Sequence, residues 1–411
     1  MRQETGSGNR AIMRAHLRQG LPACLILATF PVVVIADQVA FDLATSPSVG
    51  SSPQAVAVGK LDANNNDDIV VSNTTGNTVS VLLGNGDGTF ATQVPYNTGA
   101  YPYAVILDDF NNDGKLDIVA VNRGDFPVGS VSLLLGNGDG TFQTQHTAAV
   151  GYSPRSAASG DFGNGHIDLA VTNGPDATVS VLLNDGAGSF ATQVPYATGG
   201  NHPEGIAAVR LATGGNLDLV VAAGNVVSVL RGNGNGTFQT AVTYPAVSGA
   251  SLTALAVTDF DGDGAPDVVV ANGIVNSISV FLGNGNGTLQ PRVDYPSTAA
   301  TYALAVGDFD QDGRKDVAAV SSSSPNRALV FLGNGDGTLQ SAVSAATLPG
   351  TSGFVAVGNF RNSEADLAVA DYSAKTQVLL NRGLIFASTF ENPNDCPPGT
   401  IRLANGECGV P

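Results

Sequence analysis

The sequence predicts an all-β protein, a seven-bladed β-propeller whose blades are four-stranded antiparallel sheets. Two observations predict this fold: an apolar, β-branched run recurs at a nearly constant spacing, and glycine-rich turns lie between the runs. The chain of 411 residues contains 51 glycines, no tryptophan and 43% hydrophobic residues. This composition is typical of many short strands joined by tight turns and not of a disordered chain.

The recurring run opens with an aspartate, as in Asp68-Ile-Val-Val and Asp267-Val-Val-Val. Successive aspartates are 49 to 51 residues apart, and they are Asp68, Asp117, Asp168, Asp218, Asp267, Asp316 and Asp366. A parallel β-helix repeats at a much shorter period, and WD40 and kelch blades rely on tryptophan. Seven units of this length therefore predict seven propeller blades.

Each unit carries four strand-like segments. In the second unit they are Ala104–Leu107, Asp117–Val121, Ser130–Leu135 and Thr141–Val150, with the turn Gly136–Gly140 before the last. Polarity rises along the unit. We therefore expect the first segment to line a buried channel and the fourth to lie at the rim.

The seven units predict a propeller domain over residues 37–390. Gln38–Thr45 lies upstream of the first blade and resembles the fourth-strand segment Gln93–Thr98. We expect it to supply the outer strand of the last blade, which would close the ring and remove open sheet edges. The alternative is closure by Ile385–Phe390.

Residues 1–36 have the layout of a signal peptide: arginines, then the apolar run Leu21–Ala36, ending in Val34-Ile35-Ala36. The alternative is an uncleaved anchor, but the run is short and contains prolines. Translation starts at Met1 or at Met13. We expect a protein that is secreted, at the cell surface or periplasmic, without membrane insertion after signal removal.

Residues 391–411 form a tail rich in proline, glycine and asparagine. Cys24 would leave with the signal, so Cys396 and Cys408 remain. An even pair of cysteines in an exported chain predicts a disulfide.

The net charge is −17, from 18 basic and 35 acidic residues. Nucleic acids and anionic membranes require clustered lysine and arginine, so the charge argues against both partners. It is compatible with cations.

Three loops between the first and second strands are rich in acidic residues and span 109–117, 259–267 and 308–316. Each has carboxylate or carboxamide groups at positions 1, 3, 5 and 9 and glycine at position 6, with a backbone carbonyl available at position 7. This oxygen-rich set predicts Ca²⁺, which takes six to eight oxygens in irregular geometry. The predicted ligands are Asp109, Asn111, Asp113, Lys115, Asp117, Asp259, Asp261, Asp263, Ala265, Asp267, Asp308, Asp310, Asp312, Arg314 and Asp316.

The alternative for these loops is Asx-turns without metal. An EF-hand is excluded, because it needs glutamate at position 12 and helical flanks. A weaker metal loop in the first unit contains Asp62, Asn64 and Asp68 but has Lys60 at its first position. The remaining loops are shortened or eroded, and we interpret them as structural.

The acidic loop, the strand that follows it and the turn Gly-Asn-Gly-Asp-Gly-Thr-Phe together resemble FG-GAP/VCBS repeats over about 350 residues. The resemblance implies the seven-bladed propeller of integrin α subunits, of some fungal lectins and of many bacterial surface proteins. It also implies Ca²⁺ in the three complete loops. Functions within this family diverge widely, so the ligand does not follow.

We predict a binding or adhesion module for a glycan, matrix component or protein, and not an enzyme, because no histidine or cysteine lies in a nucleophile motif. A Ca²⁺-dependent lectin and a polysaccharide lyase are the alternatives. Ligands are expected on the face opposite the metal loops. The following tyrosines near the fourth strands would either stack on sugars or pack between blades: Tyr96, Tyr101, Tyr103, Tyr152, Tyr196, Tyr244, Tyr295 and Tyr302.

Overall fold

The computed structural model of the chain describes residues 38–124, 127–321, 324–350, 352–361, 364–385, 401–402 and 408–409. These residues form seven four-stranded antiparallel sheets, which confirms the seven-bladed propeller. The predicted signal peptide and Cys396 lie outside the described residues, as does the side chain of Cys408, so the predicted disulfide stays a prediction.

Each blade runs from an inner strand to an outer strand. The inner strands are Pro53–Gly59, Pro102–Asp108, Pro154–Gly160, Pro203–Val209, Ala254–Thr258, Thr301–Gly307 and Ser352–Gly358. The second strands are Asp68–Asn73, Asp117–Asn122, Asp168–Asn173, Asp218–Ala223, Asp267–Ala271, Asp316–Ser321 and Asp366–Asp371. The third strands are Thr78–Leu82, Ser130–Leu134, Thr178–Leu182, Val226–Leu230, Ser277–Phe281, Arg327–Phe331 and Lys375–Ile385. The outer strands are Val94–Asn97, His146–Ala149, Val194–Ala197, Val242–Pro245, Val293–Pro296, Val343–Thr347 and, in blade seven, Gln38–Thr45.

The core lies at the second and third strands, which are packed by neighbouring blades on both faces. Ile69, Val70 and Val71 are completely buried, so both sides of the strand must be apolar and the alternation of a one-sided strand is absent. The outer strands of blades one to five are largely exposed, as Val94 is. The inner strands are less buried than the second strands: in blades one and two the first four residues are buried and the last three half-buried, and in blade five only the first residue is buried.

The outer strand of blade two is shorter than the predicted segment. Residues 141–145 do not pair with the third strand, because the glycine-rich turn folds back on itself through a bridge between Gly136 and Phe142. The Asn137 N–H donates to the Thr141 carbonyl at 2.9 Å within this turn. The same bridge recurs in six blades, so the pairing of the outer strand begins only after it.

The ring closes through the N-terminal strand. Gln38–Thr45 pairs antiparallel with the third strand of blade seven, from Gln38 opposite Ile385 to Thr45 opposite Val378. Val39 and Phe41 are buried, and Phe41 packs edge-to-face on Phe309 of blade six at 5.9 Å between ring centroids. The predicted closure is confirmed.

A hydrogen bond links each blade to the next on one face of the ring. The glycine-rich turn of each blade donates to the carbonyl of the residue at the second position of the preceding blade's acidic loop. The donor–acceptor pairs are Gly88–Phe360, Gly140–Leu61, Asn184–Phe110, Gly236–Phe162, Gly287–Leu211, Gly337–Phe260 and Asn381–Phe309. Glycine N–H groups are the donors in five of these bonds, and the side-chain amides of Asn184 and of Asn381, which lies in the third strand of blade seven, are the donors in the other two. Each of the seven interfaces therefore has a bond to the same carbonyl position.

Outside the sheets the described residues include a short 3-10 helix, Gly273–Val275, and a two-stranded pair, Ile401–Arg402 with Cys408–Gly409. Among the residues described, no helix has the length and hydrophobicity of a membrane span.

Candidate metal centres

The recurring aspartate at the start of each second strand fixes the acidic loop to the glycine-rich turn. In blade two, Asp117 is fully buried and its carboxylate accepts the Phe110 N–H at 2.9 Å and the Gly136 N–H at 2.7 Å. The same pair of bonds is made by Asp68, Asp168, Asp267, Asp316 and Asp366. Since shortened loops keep these bonds, the aspartate has a structural role independent of metal, which sequence reasoning missed.

Blade four departs from this pattern. Asp218 still accepts the Gly232 N–H at 2.9 Å, but it also forms an ion pair with Arg231 at 3.1 Å. One of its buried carboxylate oxygens has no hydrogen-bond partner among the described residues. In the other blades the acidic loop donates a backbone N–H to this aspartate, and in blade four the Arg231 side chain is the second donor instead.

The blade-five loop is folded by hydrogen bonds from its own backbone. Asp259 accepts the N–H groups of Gly262 at 2.7 Å and Gly264 at 2.9 Å, and Asp261 accepts that of Asp263 at 3.2 Å. Gly262 and Gly264 have φ of +76° and +82°, a region that favours glycine. The loop thus turns back and points its side chains inward.

This loop brings three carboxylates together. Oxygens of Asp259, Asp261 and Asp267 lie within 4.8 Å of one another. Position 7 is Ala265, so the loop supplies no basic side chain at the site where blades two and six have one. A cation is the simplest means of compensating three carboxylates at this separation.

Blade six has a second such group, formed by Asp308, Asp310 and Asp312, whose oxygens also lie within 4.8 Å of one another. Asp316 is not part of it. Arg314 pairs with Asp312 at 3.0 Å, and this contact occupies one carboxylate oxygen. The blade-six cluster is therefore already partly compensated.

In blade two, Asn111 replaces one carboxylate, and Lys115 lies 3.4 Å from Asp113. Among the described residues, the groups of three carboxylates are those in blades five and six. The loop nevertheless keeps the fold of the others, with Asp109 accepting the Gly114 N–H at 2.7 Å. The ligand set predicted for blade two stays a prediction.

The weaker loop of blade one contains three consecutive asparagines, Asn64 to Asn66. Both carboxylate oxygens of Asp62 accept N–H groups of Asn64 at 3.0 Å, and Lys60 donates to Asn65 at 2.8 Å. Asp68 makes its two structural bonds to the Leu61 and Gly84 N–H groups. The loop is thus held by bonds between its own residues and their neighbours, and its metal role is likewise only a prediction.

Burial raises the pKa of some of the aspartates in these loops, above all of those that begin the second strands. It raises the pKa of Asp267 to about 6 and of Asp316 to about 7, against the hydrogen bonds from backbone N–H groups that lower them. Burial, and next the charge of Asp312, raise the pKa of Asp310. A bound cation would favour the ionised forms and reverse these shifts.

We expect the metal-free protein to lose stability as pH rises from about 4 to about 7. Unfolded aspartate ionises near 3.8, whereas Asp117 and Asp267 do so near 6 and Asp316 near 7 in the fold. Within that window the folded state binds more protons than the unfolded state, so the free energy of unfolding falls as pH rises. Urea unfolding in chelator, followed by far-ultraviolet circular dichroism at several pH values, measures this.

Several turn aspartates, including Asp87 and Asp185, have pKa values lowered by hydrogen bonds, and their contribution is lost only at pH below about 4. These turn aspartates therefore do not hide the expected loss of stability between about pH 4 and about pH 7. Stability that increases steadily between pH 4.5 and 7.5 in chelator would contradict the prediction.

Some of the repeated tyrosines pack between blades. Tyr96 of blade one lies edge-to-face on Phe142 of blade two at 5.4 Å, and Tyr196 of blade three on Phe238 of blade four at 5.6 Å. Tyr101 differs, because 44% of it is exposed on the face opposite the acidic loops.

The model described as FG-GAP-like repeat matches residues 60–120, 109–164, 215–270 and 259–319, just over half of the chain. These matches contain the three complete acidic loops. No curated protein matches the sequence.

Solved structures with a similar fold have low sequence identity. A lectin of Agrocybe aegerita that recognises non-reducing terminal N-acetylglucosamine is 19% identical, with TM-score 0.52, covering 73% of this chain and 81% of the lectin. BBS1N, solved in complex with ARL6DN, is 11% identical, with TM-score 0.57, covering 83% and 96%. A functionally unknown protein of Desulfotomaculum acetoxidans is 14% identical, with TM-score 0.54, covering 79% and 90%. These similarities show the fold alone.

Proposed function

The chain belongs to the FG-GAP-like repeat family, and we propose that it is an exported, calcium-stabilised propeller that binds a glycan, a matrix component or a protein partner without catalysis. The observation that carries the calcium part is the convergence of Asp259, Asp261 and Asp267 in a loop without a basic side chain at position 7. An all-oxygen ligand set in an irregular loop suits Ca²⁺ better than Mg²⁺, which demands near-octahedral geometry.

Calcium in this position would act on the fold. The residue between the first two ligands, Phe260, donates its N–H to Asp267 and accepts the Gly337 N–H of the next blade through its carbonyl. Fixing the loop therefore also fixes an interface between blades. The ion would stabilise the ring and leave the opposite face free for a ligand.

A binding role is supported by the similar folds of a sugar-binding lectin and of a propeller solved with a protein partner. A lectin is the second candidate, favoured by the exposed ring of Tyr101, since aromatic rings stack on sugars. A lyase, the remaining alternative, would produce unsaturated sugars from an acidic polysaccharide, and we expect none.

We expect Ca²⁺ to raise the melting temperature, and Asp261→Asn to remove most of that rise. A site filled at 100 times its Kd stabilises the folded state by about 2.7 kcal/mol. Asp310→Asn should reduce the Ca²⁺-dependent rise in melting temperature by a smaller amount, because Arg314 already neutralises part of the negative charge of the blade-six cluster. Differential scanning calorimetry with Ca²⁺ and with chelator measures both effects.

Asp336→Asn is the matched control, since Asp336 lies in the glycine-rich turn on the same face, bonded to Thr338. It should keep the full response to Ca²⁺. Equal melting temperatures with Ca²⁺ and with chelator, together with no heat of Ca²⁺ binding, would refute the calcium part. Ligand binding is tested separately on a glycan array and on immobilised matrix proteins.

A further inference from the structure

Seven residues, one from each blade, surround the mouth of the central channel on the face opposite the acidic loops. Each lies five residues before the inner-strand residue that pairs with the recurring aspartate. They are Gln54, Tyr103, Arg155, Glu204, Thr253, Tyr302 and Gly353. The position in the blade is the same in all seven cases, but the residue type differs from blade to blade. Repeated packing contacts would favour one residue type, whereas a binding site for a single ligand would not.

Aromatic residues close the channel at this level. The hydroxyl groups of Tyr103 in blade two and Tyr302 in blade six lie 2.8 Å apart. Phe354 of blade seven packs edge-to-face on both rings, at 6.1 and 5.8 Å between centroids. These three side chains form a floor that a ligand can rest on without entering the channel.

Two arginines lie over this floor. The guanidinium carbons of Arg123 and Arg155 are 5.1 and 5.2 Å from the centroid of the Tyr103 ring, within the range of a cation–π contact. Arg123 donates from Nε to the Ser153 hydroxyl at 3.2 Å, which fixes its direction. Two positive guanidinium groups therefore lie near the same ring, although the chain as a whole has a net charge of −17. An anion bound between them would reduce their repulsion.

Among the described residues, Glu204 is the carboxylate that pairs with one of these arginines. Glu204 lies 3.7 Å from Arg155, outside direct hydrogen-bond distance. The Nε atom of Arg155 is buried and has no hydrogen-bond partner in the described part of the chain. Counted over the described residues, the two arginines and Glu204 therefore leave one net positive charge, and Arg155 has one donor without a protein acceptor.

A cavity of about 240 Å³ adjoins Arg123, lined by Thr74, Tyr101, Tyr152 and Ser153. It presents aromatic rings and hydroxyl groups beside the guanidinium. Tyr101 has φ +55°, as the equivalent residues Ser52, Ser153 and His202 have φ of +55°, +49° and +44°, so this backbone conformation belongs to the turn before the inner strand, and it is the exposed ring of Tyr101 that distinguishes this blade.

We propose that this channel mouth binds a carboxylate-bearing sugar residue, a uronic acid within a polysaccharide; the proposal rests on the binding function proposed above. Arg123 and Arg155 pair with the carboxylate, and Tyr101 packs against the sugar ring. The hydroxyl-lined cavity favours a sugar over an acidic peptide. The net charge of −17 favours one carboxylate at the site over a densely charged polyanion.

The test is calorimetric titration of the full chain with the methyl glycosides of galacturonic, mannuronic and glucuronic acid, which carry one carboxylate each, and each is compared with its neutral methyl ester. We expect at least one acid to bind and its ester to bind at least about tenfold more weakly. Arg123→Gln should weaken binding of the acid about tenfold or more and leave the ester unaffected. Arg327→Gln is the control: it removes the same charge at the start of a third strand on the same face, in blade six.

No binding of any of the three acids at millimolar concentration overturns the proposal, as does equal binding of acid and ester. Equal losses in the two arginine variants would also overturn it, since a general charge effect would then suffice. Binding of neutral glycans or proteins without these acids would leave the proposed function standing and remove only this inference. No binding to any glycan or matrix protein would remove both.

Discussion

Replacing Asp168 by alanine is expected to destabilise the propeller by about 4 kcal/mol, whether or not Ca²⁺ is present. The carboxylate is fully buried and accepts the N–H groups of Phe162 at 3.0 Å and Asn184 at 2.8 Å. Without it both donors are buried and unpaired, at about 1–3 kcal/mol each. The blade-three loop is one residue shorter than the complete acidic loops and is not a predicted metal site. The expected loss of stability therefore does not include the loss of a bound metal.

Asp185→Ala in the same blade is the matched control. Asp185 also accepts two backbone N–H groups, from Ala187 and Ser189, but it is exposed and water can replace it. We expect a much smaller loss there and an intermediate one for Asp168→Asn, which keeps one acceptor. Urea unfolding followed by circular dichroism measures all three, since the chain has no tryptophan for fluorescence. Equal losses at both aspartates would show that burial does not decide the cost.

Phe41→Ala is expected to destabilise the protein by about 3–5 kcal/mol, the usual cost of truncating a buried phenylalanine. Phe41 is only 7% exposed and joins the closing strand to Phe309 of blade six. Weakening this strand also frees the edge of the last blade, which can then pair with another molecule. We therefore expect dimers or aggregates in size-exclusion chromatography as well as a lower melting temperature.

Leu43→Ala in the same strand is the control for Phe41→Ala. Leu43 is 44% exposed, so its truncation should change stability by less than about 0.5 kcal/mol and leave the elution volume equal to that of the unaltered protein. A loss at Phe41 no larger than that at Leu43 would mean that the closing strand contributes little to the ring.

The fold could be predicted because the same sequence pattern recurs seven times along the chain. Each second strand is buried on both faces, so the residues that follow its first aspartate are mostly apolar, and the aspartate itself recurs in every blade. The closing strand could be predicted because Gln38–Thr45 resembles the other outer strands. The length of the outer strands could not, since the bridge between Gly136 and Phe142 depends on how the turn folds back.

The site was predicted only in part. The spacing of acidic residues indicated which loops could hold a metal, but it did not show that Asp117 and its equivalents also join loop to turn. It also did not show that Asn112 and Gln311 take the left-handed conformation at position 4, as Gly262 does. The arginine pair was missed because Arg123 and Arg155 are brought together by the curvature of the ring and share no sequence motif.

Closing the ring with the first strand imposes an order in time. Asp42 of that strand and Arg382 of its partner strand are 340 residues apart in the chain. At a synthesis rate of about 5–20 residues per second, the first strand waits roughly 20–70 s for its partner to be made. During that interval the strand has hydrogen-bonding groups on both edges and no sheet to join. Until the last blade is complete, that segment is therefore open to pairing with other strands.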